Sequence, residues 1–558
     1  MPRARRSAAA SGWGAALLYL GCAALLPWSK PGLHYDEGLV LHDAVHILFG
    51  SGTPPFAHEA HSWIHFGRFW LPLMDLPYLG PIKAYGMVLP FALLGTSAAV
   101  CRAGAVALTA FGVWGIARTI AREVSPGAGL AAGALIALHP AVLDQTVYDN
   151  NVVAAWIASM GALGLAFSRF RERGSPGAGV LLGLATGIGV WGRLNFVWLL
   201  GAAAVAIAVV APRAGIDALR RPGPIALGFS AGVFPVFLYE SLTRGGTFRY
   251  MRHGSALGPL ARVHHRLPLF FETLLSDGEH RAIWGGPPVP RWQLGVIAAL
   301  AAGGAACALL LPKGRDEDGS ALAWRRASAI TLVVFSAVML LSGMNVTEHH
   351  LVTAVPVAAI AAVLGFRRAG FGSRIGRAAL AAAGLAFATL AVSWNLRAAA
   401  GLRLTGGRRN WSDAIEAVAA TLRTEAPGDT ARALSWGLAN NTFVLTGGKV
   451  RLREVFWGAT GAGTVDRSWD DLVRSGGYFV AGSEPSLAAD GFRAALAGSG
   501  VPYRKWTFRQ RDGTVYAELF RILPEPVSPG APTAPTLPPS SAQPAGTSAS
   551  RDRPASSE

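Results

Sequence analysis

Apolar stretches long enough to cross a bilayer, roughly 20 residues each, recur from the N-terminal end to about residue 396. By hydropathy they predict about eleven spans. The first runs from Trp13 to Trp28, and the others centre near Ala107, Ala134, Ser159, Leu184, Ala203, Ser230, Ala302, Val334, Ala358 and Leu385. A polar, aromatic-rich loop separates the first span from the second. Beyond the last span the periodicity changes. Ile415, Val418, Ala419 and Leu422 make a helical stripe, and Ala433-Leu434-Ser435-Trp436 and Tyr478-Phe479-Val480 read as buried strands. Trp506 to Phe520 alternates around Asp512-Gly513, a hairpin signal.

This pattern divides the chain into a cytoplasmic N-terminal segment (1–12), a membrane domain (13–396), a small α/β domain (397–523) and a tail (524–558). Within the membrane domain the first loop covers 30–95 and a second long loop 240–291. The tail is Pro, Ser and Ala with little apolar content, a composition that predicts disorder. No convincing internal repeat is present. The expected fold class is a polytopic α-helical membrane protein with a C-terminal α/β domain.

Composition agrees: 51% of the 558 residues are hydrophobic and 15% charged. The net charge of +17 would suit nucleic acid, but the Arg residues fall mainly between spans. Arg3, Arg5 and Arg6 precede the first span. Basic clusters follow every even-numbered one: Arg118 and Arg122, Arg169 to Arg173, Arg213 to Arg221, Lys313 to Arg326, and Arg367 to Arg377. Such loops stay on the cytoplasmic side, which places the 30–95 loop and the C-terminal domain outside and makes nucleic acid the weaker partner. Met1 to Arg6 before an apolar run resembles a secretory signal, but Leu25-Leu26-Pro27-Trp28 is a poor cleavage site, so the segment reads as an uncleaved span. Cys22, Cys101 and Cys307 show neither metal nor disulfide spacing and read as packing residues.

The candidate chemistry collects in the loops assigned to the outer side. Asp36 and Glu37, in His34-Tyr35-Asp36-Glu37-Gly38, place two carboxylates at the membrane surface. They could simply cap a surface helix. Asp43 follows two turns later, and Asp149 lies in the short loop Asp144 to Asn151 at the same expected membrane level. The 240–291 loop carries Arg244, Arg249, Arg252, Arg262, Arg266 and Arg281 among His253, His264, His265 and His280. A long loop can be basic without functional meaning, yet guanidinium groups bind phosphate bidentately. Asn345 to His350 opens the tenth span. His42 and His46, and His58, His61 and His65, have spacings that permit a metal site, although no HExxH arrangement is present. No cofactor is firmly implied, and a divalent metal stays open.

With these residues placed, the sequence resembles the GT-C-type superfamily of polytopic glycosyltransferases that use polyprenyl-phosphate sugars. It includes the protein O-mannosyltransferases and the aminoarabinose transferase of lipid A. Tyr35-Asp36-Glu37 resembles the family's acidic pair after the first span, and Gly80 to Gly95 its amphipathic segment before the second. Ala137-Leu138-His139-Pro140 leading to Tyr148-Asp149 is similar to its proline-then-acid motif. Gly183 to Arg193 is similar to its glycine-rich fifth span ending in a basic residue. The likeness covers residues 13–396; it rests on motif order and membrane side more than on any single motif.

The resemblance implies an inverting transferase that moves a sugar from a polyprenyl-phosphate donor to an acceptor hydroxyl or amine outside the plasma membrane. Asp36 matches the acceptor-activating carboxylate, with Glu37 beside it, and Asp149 matches the second acid. Lys83, Arg193, Arg262, His264, Arg266 and His349 are the corresponding substrate-binding candidates. Two positions depart from the pattern: Gly80 stands where some relatives carry Lys, and His349-His350 where Tyr or Arg-Tyr is common. High Ala, Gly and Arg content points to a bacterial source, hence undecaprenyl or decaprenyl phosphate. A protein, a glycolipid or a polysaccharide would each serve as acceptor. The rival reading is a transporter or flippase for lipid-linked sugars, which would place charges in broken mid-membrane helices and show repeats.

Overall fold

The computed structural model describes residues 2–523 apart from 51–61, 68, 150, 213–221, 253–256, 277–280, 288–289, 315–316, 371–373, 427, 457–467 and 484–485. Ten helices come first: α1 Pro2–Leu25, α2 Tyr35–Leu39, α3 His42–Phe49, α4 Ile82–Leu94, α5 Ala98–Glu123, α6 Pro126–Leu138, α7 Pro140–Val147, α8 Val153–Arg173, α9 Pro176–Gly192 and α10 Phe196–Val210. Each span centre read from hydropathy falls on a helix. Among the described residues six helices are long and apolar enough to cross a membrane, or seven if α6 and α7 count as one bent span. The centres at Leu184 and Ala203 fall on the shorter apolar helices α9 and α10. The last long helix, Arg374–Thr405, runs beyond residue 396.

The α6–α7 bend is 63° and has a local cause. Pro140 lacks an N–H and its ring collides with the preceding turn, so α6 ends there, while the same residue suits the first position of α7. The segment Asp144 to Val147 is therefore helical rather than loop.

Small residues set one of the close helix contacts. A Cβ at Gly183 would lie 2.0 Å from the Ile225 carbonyl oxygen, and one at Gly228 2.0 Å from that of Val180. Gly187 and Gly232 repeat the arrangement one turn on, so α9 and the helix Pro222–Thr243 meet backbone to backbone. Gly228→Leu is expected to force the pair apart and destabilise the fold by at least ~1–3 kcal/mol. A lowered melting temperature in detergent would show it.

The described part of the first loop is structured. It holds α2, α3, a hairpin of β1 (Trp63–Phe66) and β2 (Phe69–Pro72), and α4. The C-terminal domain is a five-stranded sheet of β3 (Gly428–Ala433), β4 (Val450–Glu454), β5 (Gly477–Gly482), β6 (Tyr503–Arg509) and β7 (Val515–Ile522). The strand order is β4-β3-β5-β7-β6. β3 is parallel to β4 and β5, and β7 is antiparallel to β5 and β6. The stripe Ile415, Val418, Ala419 and Leu422 is buried on the helix Ala414–Glu425. One core joins Leu33, Val40, Leu41, Ala44 and Val45 of the first loop to α4, α5 and α8. Phe443 and Val444 of the C-terminal domain belong to it too.

Candidate functional site

Asp36 and Glu37 share the single turn of α2 but have different surroundings. His34 caps the turn: its Nδ1 accepts from the Asp36 N–H at 3.2 Å, and Glu37 Oε2 accepts from the His34 N–H at 3.0 Å. Glu37 is buried and bound on both oxygens by Arg102 of α5, Nε to Oε1 at 3.0 Å and Nη2 to Oε2 at 2.9 Å. Arg102 spends its remaining donors on the carbonyls of Trp28, Pro31 and Gly32, with Tyr148 under its guanidinium. Burial alone would raise the Glu37 carboxyl, but the Arg102 charge and bonds hold it below the ordinary carboxylate range. Asp36 keeps its side chain 28% exposed, with His34 Nδ1 3.9 Å from its Oδ2. Burial pushes Asp36 above the ordinary range, and His34 offsets part of that shift. Of the two, Asp36 is the one able to take a proton from another molecule.

Asp149 and Lys83 form a second pair. Lys83 Nζ donates to the Asp149 carbonyl at 2.7 Å and lies 3.2 Å from Oδ2, both side chains buried. Asp149 Oδ1 accepts from the Val153 N–H at 2.7 Å, so the same residue caps α8. Arg193 is brought alongside by backbone pairing. Leu79 bridges Arg193, and the Gly80 N–H bonds the Gly192 carbonyl. A Cβ at Gly80 would sit 2.3 Å from the Trp191 carbonyl oxygen. That contact leaves no room for a lysine at 80 and makes Lys83, the second residue of α4, the cation presented here.

Arg193 is buried and donates from Nη1 to the His349 carbonyl at 3.0 Å. Its Nε and Nη2 have no acceptor among the described residues. Buried guanidinium donors without partners are costly, and they suit an anion. Asp149 and Tyr78 both lie within its electrostatic reach, and Tyr78 is also within reach of Asp36. The two acids and the two cations are thus linked around the 78–83 segment.

The other expected contacts go elsewhere. Arg262 Nη1 donates to the Leu341 carbonyl at 2.8 Å, and Arg266 Nη1 to Met339 at 3.0 Å and Ser342 at 2.7 Å. Both cap the C-terminal end of the helix Gly319–Leu341. His264 is exposed, and the His349 ring packs on His350 with Thr347 Oγ1 3.0 Å from its Nδ1. His253, His280, His58 and His61 lie outside the described residues. Among the described residues no three His, Cys, Asp or Glu side chains converge as a metal site.

Asp43 meets Asp75 inside the first loop, with His42 Nε2 2.7 Å from Asp43 Oδ1, all three buried. Burial pushes Asp43 up to about 7, and burial plus the Asp43 charge pushes Asp75 well above the ordinary range. The folded state therefore holds protons that the unfolded chain has released, so this pair lowers stability as pH rises from 3.8 towards about 7. Asp43→Asn is expected to flatten that dependence in melting curves recorded across the window.

The partner of Glu37 could not be assigned from the acidic motif. Arg102 stands in an apolar span, and a lone charge in such a place is a functional signal by default. The second unforeseen group is Trp411 and Trp436, which face His34.

No protein-family model matches the sequence, and no curated protein matches it in sequence. The fold, by contrast, has solved counterparts. ArnT from Cupriavidus metallidurans in the apo state overlays with a TM-score of 0.58 at 15% identity, over 92% of this chain and 98% of that one. The same protein bound to undecaprenyl phosphate overlays at 0.57 and 14% identity, over 90% and 97%. An oligosaccharyltransferase of Archaeoglobus fulgidus overlays at 0.47 and 13% identity, over 89% and 69%. The chain shares the fold of ArnT, mostly helical with several long apolar helices and a C-terminal sheet domain.

Proposed function

We propose that this protein is a membrane glycosyltransferase that takes a sugar from a polyprenyl-phosphate donor and passes it to an acceptor hydroxyl or amine. The observation that carries the reading is a part-exposed Asp36 and a buried Arg193 with two unused donors, both within electrostatic reach of Tyr78. The fold agrees, since a solved counterpart holds undecaprenyl phosphate.

The chemistry is one displacement. The acceptor oxygen or nitrogen bonds to the anomeric carbon as the bond from that carbon to the phosphate oxygen breaks. The acceptor proton goes to Asp36, polyprenyl phosphate leaves, and the anomeric configuration inverts. General-base help of this kind contributes typically ~10²–10⁴-fold. Lys83 and Arg193 hold the departing phosphate, where fixed positive charge counters the negative charge that develops. Asp149 orients Lys83 by its two contacts. Glu37 keeps α2 in place through Arg102. The reaction side is the extracytoplasmic face of the bacterial plasma membrane, by the distribution of Arg along the chain.

Two outcomes follow. Arg193→Gln removes charged donors, each worth ~1.5–3 kcal/mol; polyprenyl-phosphate binding is expected to weaken about ten- to a hundredfold, read by titration of the purified protein. The acid limb of the rate profile is expected above the ordinary carboxylate range, because Asp36 must be ionised to act and burial raises it. Activity falls as pH drops through that raised value. Transfer of a labelled sugar in liposomes tests the assignment, and a limb at or below the ordinary carboxylate value would remove Asp36 as base.

A further inference from the structure

A helix of five residues does not hold its own shape. Fixing one turn costs more conformational freedom than its bonds return, so the direction of the Asp36 side chain must come from what α2 touches. On one side that is Arg102, through Glu37. On the other it is the C-terminal domain. His34, the cap of the turn, stacks on Trp411 at 4.3 Å between ring centroids and meets the edge of Trp436 at 5.6 Å. Tyr35 packs 4.9 Å from Trp436 and donates its hydroxyl to Glu454 Oε1 of β4 at 2.7 Å. The backbones also meet, since a Cβ at Gly38 would lie 2.5 Å from the Asn441 nitrogen. The residues on both sides of Asp36 are held while its own side chain stays part-exposed.

We propose that the C-terminal domain is the positioning element of the base: Trp411, Trp436 and Glu454 grip His34 and Tyr35 and so fix where the Asp36 carboxylate points. The proposal rests on the reading of Asp36 as general base. These residues touch neither donor nor acceptor; they act through α2. A misplacement of about 1 Å at a reacting group can cost ~10²-fold, so loosening the grip slows the chemical step and leaves phosphate binding to Lys83 and Arg193. The groups that face Asp36 are His34 and Tyr35 on its own segment and Tyr78 from the segment before α4. Behind it lies the Glu37–Arg102 pair. Among the described residues none of these belongs to the C-terminal domain, which therefore acts on Asp36 by placement, holding α2 where burial raises the carboxyl.

The test uses the full chain in liposomes with a labelled polyprenyl-phosphate sugar. Trp436→Ala is expected to lower kcat about 10–100-fold with the donor KM within about twofold. It should also move the acid limb towards the ordinary carboxylate range. Trp436→Phe should restore most of the rate. A folded Trp436→Ala enzyme with unchanged kcat and unchanged acid limb would overturn the proposal, as would equal losses in both variants without a shift of the limb. Should the alanine variant fail to fold, Glu454→Gln, which keeps the side-chain shape and weakens the bond from the Tyr35 hydroxyl, decides by the same readouts. Asp36→Asn in parallel separates the layers. Transfer that survives it removes the base and the clamp together, whereas its loss beside an unaffected Trp436→Ala and Glu454→Gln removes the clamp alone.

Discussion

Asp36→Asn is expected to reduce sugar transfer by ~10²–10⁴-fold, the usual worth of a positioned general base, with folding and donor binding retained. Asparagine keeps the shape of the side chain, and the cap of α2 uses the Asp36 N–H rather than its carboxylate. Neither Arg102 nor Lys83 loses its partner, because Glu37 holds the first and Asp149 the second. What disappears is an oxygen able to accept the acceptor's proton. The check is single-turnover transfer beside a melting curve and a polyprenyl-phosphate titration. The rate alone should move.

Arg102→Ala should do the reverse and remove stability first. The Glu37 carboxylate would be left buried without its partner, and breaking such a pair costs ~3–5 kcal/mol. The carbonyls of Trp28, Pro31 and Gly32 would lose their donor in the same step. Glu37→Gln should share part of the loss, and the double variant should cost less than the sum of the two. The pH dependence carries a sign. Glu37 is held below its ordinary value of 4.5, so its contribution is complete above that value and is lost as pH falls through the lowered one. Melting temperatures of the four proteins near neutral and near pH 4 would show both effects. A stable, inactive Glu37→Gln would instead give Glu37 a part in the reaction.

Much of this architecture is legible in the residues, for identifiable reasons. Hydropathy locates the helices because lipid selects long apolar segments, and every centre from Ala107 to Leu385 falls on one. The length of each helix is less visible, and so is the α6–α7 bend, although His139-Pro140 marks the place. The C-terminal domain follows its periodicity closely, with one informative exception. Ala433 to Trp436 reads as a continuous strand, but β3 stops at Ala433. Ser435 turns its hydroxyl to the Gly482 N–H at 2.6 Å, and Gly437 takes φ 100°, a conformation that favours glycine. The chain leaves the sheet there and delivers Trp436 to His34.

The site itself divides in the same way. That acids and bases gather in the loops is visible; which acid is free is not. Asp36 and Glu37 are neighbours of one chemical class, and only Arg102, far along the chain inside an apolar helix, distinguishes them. Lys83 and Asp149 are likewise paired by folding and not by spacing. In the basic 240–291 loop the sequence does not tell two uses of arginine apart: a guanidinium serves a helix's terminal carbonyls as readily as a phosphate, and Arg262 and Arg266 bond such carbonyls here.

The most direct test of the central claim is the fate of both halves of the donor. Purified protein in liposomes would be given a polyprenyl-phosphate sugar labelled in the sugar, together with envelope acceptors, and followed by mass spectrometry. Covalent sugar on an acceptor, with one free polyprenyl phosphate released per sugar moved, is the predicted result. Intact donor carried from one leaflet to the other, with no lipid phosphate released, would contradict it.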